Sequence, residues 1–549
     1  MKPRPQIGPL ILMFALVALP FVATFTLYYP DERHYTDGAL MMLKHGDWLV
    51  PKTAEGAPRF QKPPLAYWSV AASYATFGVG VFTSRLPFLL ASCGTLWLTY
   101  RLARRLTGNN ETALVAALVL LSHPQFFLCS IRSMPDALLV FFITLSAYGF
   151  LRLIVLEEFV ASAFWMAYGG AAGAAMSKGL LGAGIVVFAW AFAFWQAHDW
   201  RAVPKIIHPP ILAAAIVLVG GWFGCIFWRQ GAGAWNVFLD DQLTGNFHGH
   251  WWSPISRAPL FALILVLNFL PWSATAVEWL AREKSRAMGS TPPPAQKFIL
   301  AWMAVLIAGF ALGANVSFRY LLPATPLLAV LLADWLQSAE STRLIFSLRR
   351  ILKIVLAMLT LAVMAGVLVD SQWPLPVVLL ALICSLLLFG IAALASSALW
   401  RKSVSAAEAL GLAILLGWVI LFIAAMPVLL PDNAQQIAAA LRQGQTGSPQ
   451  PVLLIGDVRL ASRVRVLLGK NWTVVQADKL NPADAVGYTR VLVSEREAGE
   501  FINHGWAVQT AAVSIGAPTC GELWEALRSR RLPETLARHT RKICLMTRE

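Results

Sequence analysis

The sequence predicts an all-α polytopic membrane protein with about thirteen transmembrane helices and a small C-terminal α/β domain. Three observations lead there. Of the 549 residues, 58% are hydrophobic and only 13% charged, and the mean hydropathy is +0.62, which is more apolar surface than a soluble core can bury. The apolar residues are gathered into runs near the roughly 20 residues that carry a helix across a bilayer. After Leu430 the composition changes, and charges become frequent.

The apolar runs cover residues 8–29, 81–103, 112–130, 136–156, 160–176, 180–197, 207–228, 258–280, 297–315, 319–338, 351–370, 374–399 and 407–430. The first follows Lys2 and Arg4 and ends without a convincing small-x-small cleavage site, so it reads as an uncleaved span with its N-terminus in the cytoplasm. Ser177-Lys178-Gly179 interrupts one long apolar stretch, so the division of 160–197 into two spans is open.

Orientation follows by alternation. Arg101, Arg104 and Arg105; Arg201 and Lys205; Arg282, Lys284, Arg286 and Lys297; Arg343, Arg349, Arg350 and Lys353; and Arg401 and Lys402 all fall on the N-terminal side of the membrane. That is the positive-inside pattern in five loops. It accounts for the net charge of +15 without any nucleic-acid partner. The loop around Glu157 and Glu158 is the exception.

The opposite face carries Asp31, Glu32, Arg33, His34, Lys62, Arg132, Asp136, Lys178, Asp240, Asp241 and Arg319. Ionisable groups at a membrane edge are costly and usually functional. Transporters place such groups near the midplane of repeated halves. Here they gather at one face and no repeat is visible, which favours an enzyme over a transporter.

The stretch from Tyr28 to Trp68 connects the first two spans and organises that face. Pro30 ends the first helix. Residues 33–45 and 63–78 read as two short helices along the interface, with Trp68 and Tyr74 at headgroup depth. The loop 229–257 is long and aromatic, either a lid over the site or a headgroup anchor. In the tail, Val452–Gly456, Trp472–Gln476 and Arg490–Ser494 read as strands, and 434–443, 457–468, 495–503 and 521–530 as helices. Gly456 begins no GxGxxG or GKS/T motif, so no nucleotide site is read.

Of six cysteines, Cys93, Cys129, Cys225 and Cys384 lie in or beside apolar spans, where they serve packing. Cys520 and Cys544 share the tail and are expected either to bond in an oxidising compartment or to stay as buried thiols. There is no CxxC or Cys/His spacing for a metal.

An acid and a Lys at one membrane face suit a substrate with a reacting hydroxyl and a phosphate. Asp31 is either the base of such a reaction or the N-cap of the helix that follows. Asp136 and Arg132 either serve the site or cap and pair at the head of the fourth span. Lys62 and Lys178 either grip a phosphate or snorkel. His248 and His250, without a third ligand nearby, read as surface residues.

Asp31-Glu32 followed by Tyr35, then Gly46-Asp47-Trp48, then Lys62-Pro63-Pro64 with Tyr67-Trp68, resembles the GT-C glycosyltransferases. Within them the pattern is most similar to the lipid A aminoarabinose transferases, whose relatives include the protein O-mannosyltransferases. Arg132-Ser133-Met134-Pro135-Asp136, Ser177-Lys178-Gly179 and Arg319-Tyr320-Leu321-Leu322-Pro323 match later motifs in the same order, over roughly the first 330 residues. The resemblance implies a GT-C membrane fold with a periplasmic C-terminal domain and a sugar donor on a polyprenyl phosphate such as undecaprenyl phosphate. It also implies inverting transfer on the periplasmic face of a bacterial inner membrane. The acceptor would be lipid A, another envelope glycolipid, or protein Ser or Thr. Carried onto this chain, it makes Asp31 and Asp136 catalytic. Glu32, Arg33, His34, Tyr35, Lys62, Arg132, Lys178, Arg319 and Tyr320 become substrate-binding.

Three positions depart from the family. Gln61 stands where Glu often precedes Lys-Pro-Pro. Asp240-Asp241-Gln242-Leu243-Thr244-Gly245-Asn246-Phe247 stands where a Glu-His pair and Arg-Phe are common. His34 stands where many members have Arg. Gln61 and Gln242 are neutral amides and poor ligands for zinc, so neither metal nor cofactor is expected.

Overall fold

The structure is a computed structural model, and it describes residues 7–25, 28–242, 253–269, 272–273, 292–313, 316–317, 319–337, 433–443, 449–515 and 540–548, with single residues 525, 529, 531 and 534. The chain divides into two compact units. One comprises residues 1–19, 59–66 and 88–420; the other comprises 20–58, 67–87 and 421–549.

A helix stands at each expected span that falls on described residues, but the first ends at Val22, well before Pro30, and the one expected from 319 begins at Thr325. In chain order they are α1 (Ile7–Val22), α2 (Glu32–His45), α3 (Leu65–Phe77), α4 (Val81–Thr107), α5 (Asn110–Leu121), α6 (Pro124–Ser130) and α7 (Pro135–Ile154). Next come α8 (Ala161–Phe164), a π-turn at Trp165–Gly169, α9 (Gly170–Lys178), α10 (Leu181–Ala197), α11 (Ala202–Lys205), α12 (Pro209–Gln230) and α13 (Ala232–Gln242). Then come α14 (Ser253–Asn268), α15 (Pro294–Ala311) and α16 (Thr325–Gln337). The last three expected spans, 351–370, 374–399 and 407–430, lie outside the described residues. So do Cys384, His248 and His250. Among the described residues four helices are long and apolar enough to cross a bilayer alone, or five if a bent pair forms one span. That is fewer than the thirteen expected.

The bent pair is α5 and α6, which meet at 75°. Pro124 cannot continue α5, because it has no N–H to give and its ring clashes with the preceding turn. His123 turns extended, and its Nδ1 accepts from the N–H of Phe126 at 3.3 Å. The indole of Trp272 donates to Ser122 Oγ at 2.8 Å beside the break. The open division of 160–197 is also resolved. Gly179 takes φ 90° and ψ −128°, a conformation that ends α9 and starts a new helix.

In the first unit, α7 packs on α9 through small residues. A Cβ at Gly170 would sit 2.6 Å from the backbone of Ser146, and between α10 and α9 one at Gly182 would sit 2.3 Å from that of Ala175. Such close approach of backbones is the usual way membrane helices associate. The π-turn lies on this seam, where Ser146 Oγ donates to the carbonyl of Ala167 at 2.7 Å.

The second unit holds α2, most of α3, the start of α4 and the C-terminal layer. Both short interface helices appear as expected. Gly46, at φ 68°, ends α2 with a left-handed cap, and its N–H bonds to Met42 O at 2.8 Å. The aromatic loop at 229–257 is partly helical instead: α13 and the start of α14 lie in it, and residues 243–252 fall outside the described residues.

The C-terminal layer contains α17 (Asn433–Gln443), β1 (Val452–Ile455), α18 (Val458–Leu468), β2 (Val474–Ala477), β3 (Arg490–Ser494), α19 (Glu495–Asn503), β4 (Ala507–Ile515) and β5 (Thr540–Thr547). The sheet order is β2-β1-β3-β5-β4. The first three strands run parallel, and β5 is antiparallel to both its neighbours. Alternate residues serve opposite faces. Val452 and Leu454 pack toward α17 and α18, whereas Leu453 and Ile455 meet Phe501 and Trp506. Helices cap in the expected way: Asp457 accepts from the N–H groups of Arg459 and Leu460, and Ser494 forms a capping box with Glu497.

One feature corrects the sequence reading: strands β4 and β5 went unforeseen, and β5 is the inner strand that joins β3 to β4. Cys544 lies in β5 as a buried, free thiol, the second of the two alternatives expected for it. Its register partners are Val493 and Ala511. Cys520 and most of 521–530 lie outside the described residues.

Candidate active site

The sequence-predicted residues fall into the two units. Asp136, Arg132, Lys178, Arg319, Tyr320 and Lys62 belong to the first; Asp31, Glu32, Arg33, His34 and Tyr35 belong to the second.

In the first unit Asp136 is the centre. Pro135 opens α7, as Pro is preferred at a first helical position, and Asp136 follows in the first turn. Its side chain is 2% exposed, and Lys178 Nζ donates to its Oδ1 at 2.6 Å. Arg319 Nη1 stands 3.5 Å from Oδ2, an ionic contact beyond good hydrogen-bond geometry. Lys178 comes from the last turn of α9, just before the Gly179 break. Its ammonium lies 5.8 Å from the centroid of the Tyr320 ring, a cation–π distance. Tyr320 in turn stacks on Phe310 at 5.0 Å. Arg132 is half-buried in the turn leading to α7, where its carbonyl accepts from the N–H of Met134 at 2.9 Å.

Lys62 is hydrogen-bonded to Asp241, at the end of α13. Burial pushes the Lys62 ammonium below its ordinary pKa, and the Asp241 carboxylate pulls it back up. Lys178 and Arg59 add repulsion. Near this pair is an aromatic cluster lined by Phe60, Trp222, Phe223, Ile226, Phe227, Trp235 and Phe238, with a cavity of only about 10 Å³. Gln61 Oε1 is buried without a hydrogen bond.

In the second unit Asp31 occupies the N-cap position of α2 with helical φ −73° and ψ −17°, and its side chain makes no capping bond. The capping role weighed for it is therefore not exercised. Glu32 is fully buried. It receives Arg85 through Nε and Nη2, both at 2.9 Å, and the N–H of Tyr29 at 2.9 Å. Arg85 also donates to the carbonyls of Phe21 and Thr24, at 2.7 and 2.6 Å. Tyr35 is buried, with its ring 5.0 Å from that of Tyr67. A Cβ at Gly38 would meet Tyr67 Cδ1 at 2.7 Å, so only Gly admits that ring. Arg33 and His34 are half-buried, and Arg33 Nε has no hydrogen bond.

Sequence reasoning missed Arg85, Asp37 and Arg465. Arg85 carried a signal, since a guanidinium inside an apolar run has to find a partner. Asp37 and Arg465 carried none, because they are 428 residues apart. Among the described residues no three His, Cys, Asp or Glu side chains cluster as metal ligands.

Residues 9–229 match the dolichyl-phosphate-mannose-protein mannosyltransferase family. An uncharacterized protein of Aquifex aeolicus is 30% identical over 343 residues, which are 59% of this chain and 64% of that protein. The undecaprenyl phosphate-alpha-4-amino-4-deoxy-L-arabinose arabinosyl transferase of Pseudomonas aeruginosa is 27% identical over 79% of this chain and 78% of its own. Among solved structures, ArnT from Cupriavidus metallidurans bound to undecaprenyl phosphate superposes with a TM-score of 0.75 at 17% identity, covering 98% of each chain. Its apo state gives 0.71 at 18% identity, over 91% of this chain and 95% of that one. The fold is thus that of ArnT. The family match and the arabinosyl transferase relatives indicate a glycosyltransferase.

Proposed function

We infer that this glycosyltransferase moves a sugar from a polyprenyl phosphate, such as undecaprenyl phosphate, to lipid A or a related envelope glycolipid. Transfer takes place on the periplasmic face of a bacterial inner membrane and inverts the anomeric carbon. The carrying observation is the pair of cations, Lys178 and Arg319, held on one buried carboxylate, Asp136. Their exposure differs: 2% for the acid against 21% and 19% for the cations. The acid anchors and the cationic heads remain reachable.

The chemistry gives those heads a task. The donor is a phosphodiester with one negative charge. As the acceptor oxygen bonds to the anomeric carbon, the sugar–oxygen bond breaks and its electron pair passes to the departing polyprenyl phosphate. The leaving group therefore gains negative charge in the transition state. Cations that grip it stabilise that state more than the ground state, which is what accelerates a reaction. Lys178 and Arg319 take this role, and Lys62 joins them when released from Asp241. Asp31 is assigned to the acceptor. It takes the proton of an acceptor hydroxyl; a phosphate oxygen that is already ionised needs no base.

The test is transfer by the purified full-length protein in bilayers from a labelled polyprenyl-phosphate sugar. Label in a lipid A acceptor is the expected result. Label in protein Ser or Thr would assign the acceptor named by the matching family instead. Label in neither would overturn the reading.

A further inference from the structure

We propose that Arg465 is a positioning residue: through Asp37 it sets the pose of α2, and with it the Asp31 carboxylate at the head of that helix. The proposal rests on the reading of Asp31 as the group that meets the acceptor.

The contact is built from both sides. Arg465, on α18, donates through Nη1 to Asp37 Oδ2 at 3.1 Å. Ser462, one turn earlier, donates to Asp37 Oδ1 at 3.1 Å. Arg465 Nε bonds the carbonyl of Val474 at 2.9 Å, so the guanidinium is itself tied to the first residue of β2. Asp37 and Arg465 are 6% and 7% exposed. Glu55 approaches Arg465 at 4.0 Å from the rim. At the far end of α2, Lys44 donates to the carbonyl of Trp472 at 2.8 Å. The C-terminal layer therefore grips α2 at two places, and the Glu32–Arg85 pair grips its first turn.

Stability alone does not explain this choice of residues. A buried ion pair recovers little beyond its desolvation cost, and apolar residues of similar size are often as stable or more so. What the charged pair adds is direction. Bonds to both carboxylate oxygens fix the rotation and register of α2 on α18, which an apolar contact leaves loose. Asp31 lies six residues before Asp37, about 9 Å along a helix axis. A small rotation at Asp37 therefore moves the carboxylate at the head of the helix.

The test uses the full-length protein in bilayers and reads kcat, KM for the acceptor, affinity for polyprenyl phosphate and Tm. Arg465→Leu is expected to lower kcat by about tenfold to a hundredfold, the usual cost of misplacing a reacting group by about 1 Å. Affinity for polyprenyl phosphate should be unchanged. Arg465→Lys, which keeps the charge, should recover part of the rate. Asp37→Leu/Arg465→Leu should restore Tm and leave the rate low, a separation that a merely structural role would not produce. If Arg465→Leu does not fold, the double variant decides. A parent kcat in the double variant, or in folded Arg465→Leu, would overturn the proposal. Asp31→Asn runs alongside, on a phosphorylated and on a dephosphorylated lipid A. If it transfers at the parent rate to both, the reading of Asp31 fails; if it is slow on the dephosphorylated acceptor while the Arg465 variants are fast, only this proposal fails.

Discussion

Lys178 donates to Asp136 across 2.6 Å, with the acid sunk to 2% exposure and the ammonium a fifth exposed. One residue is placed by the packing of α7, and the other by the helix break at Gly179. Lys178→Met removes the closer of two counter-charges from a buried carboxylate. If Lys178 grips the lipid phosphate, affinity for polyprenyl phosphate should fall by about tenfold, as for a charged hydrogen bond of about 1.5 kcal/mol. Tm should fall as well, because Asp136 keeps only the longer contact to Arg319. Lower Tm with unchanged affinity would mean that Lys178 serves only to neutralise Asp136.

The Lys62–Asp241 pair gives a prediction of opposite sign. A carboxylate that occupies Lys62 competes with an incoming phosphate. Asp241→Asn should therefore tighten binding of polyprenyl phosphate. It should also lower the pKa of Lys62 further, since Asp241 is the group that raises it against burial. The gain in affinity should then fade at alkaline pH earlier than binding fades in the parent. Titration of both proteins across that range checks it, and weaker binding at neutral pH would instead make Asp241 a substrate contact.

The Glu32–Arg85 pair is closed on all sides, so its removal should appear in stability. Arg85→Met takes the guanidinium away from a fully buried carboxylate and from the carbonyls of Phe21 and Thr24. Breaking such a pair costs about 3–5 kcal/mol. Little folded protein should survive detergent extraction, as read by size-exclusion chromatography. Glu32→Met/Arg85→Met should recover stability only in part, because the bonds from Arg85 to the two carbonyls are still lost. Full recovery would show that those bonds contribute nothing.

Asp37 predicts a pH dependence. Its carboxyl is pushed up to about 6, chiefly by burial, with Arg465 and Ser462 pulling it back and Glu55 adding repulsion. An unfolded Asp titrates near 3.9, so the folded protein binds this proton more tightly than the unfolded chain. The ionised group thus costs stability above the folded value, and that cost is relieved as pH falls from about 6 toward about 4. Relative to Asp37→Asn, the parent should gain up to about 1.4 kcal/mol per pH unit in that window. Lys44, Tyr28 and Tyr74 also feel Asp37, and the Asn variant keeps all three. Thermal unfolding of both proteins at several pH values measures it; a parent that loses stability relative to the variant on acidification contradicts the sign.

Much of the fold was legible because membrane helices announce themselves locally. A run of apolar residues, a Pro or a Gly is enough to place α7, α9 and the break at Gly179. The strands β1 and β3 were legible for the same reason, as buried apolar runs. β5 was not, since Thr540-Arg541-Lys542 opens it with polar residues and its pairing with β3 joins distant segments. At the site, Asp136, Lys178 and Arg319 were legible as charges at the ends of apolar runs, and the structure brings those three together. The partner of Glu32 was legible only in hindsight, as a lone Arg in a span. The Asp37–Arg465 pair had no local pattern at all, because only the folded layer brings α18 onto α2.

Asp31 gives the sharpest test of mechanism. It stands at the N-cap of α2, and its side chain makes no capping bond there. Asp31→Asn keeps the size and removes the charge, and Tm should change little. If the acceptor is a hydroxyl, the carboxylate must take its proton, and transfer should slow by roughly 10² to 10⁴, the usual contribution of a general base. Affinity for polyprenyl phosphate should hold, because Lys62, Lys178 and Arg319 remain. If the acceptor oxygen belongs to a phosphate, it is ionised before it arrives, and the variant should transfer near the parent rate. The two outcomes separate on one pair of acceptors, a lipid A carrying its phosphates and the same lipid A dephosphorylated. A variant slow on both needs the base. A variant fast on the phosphorylated acceptor alone marks the phosphate as the nucleophile. A variant equal to the parent on both, in rate and in KM, removes Asp31 from the reaction.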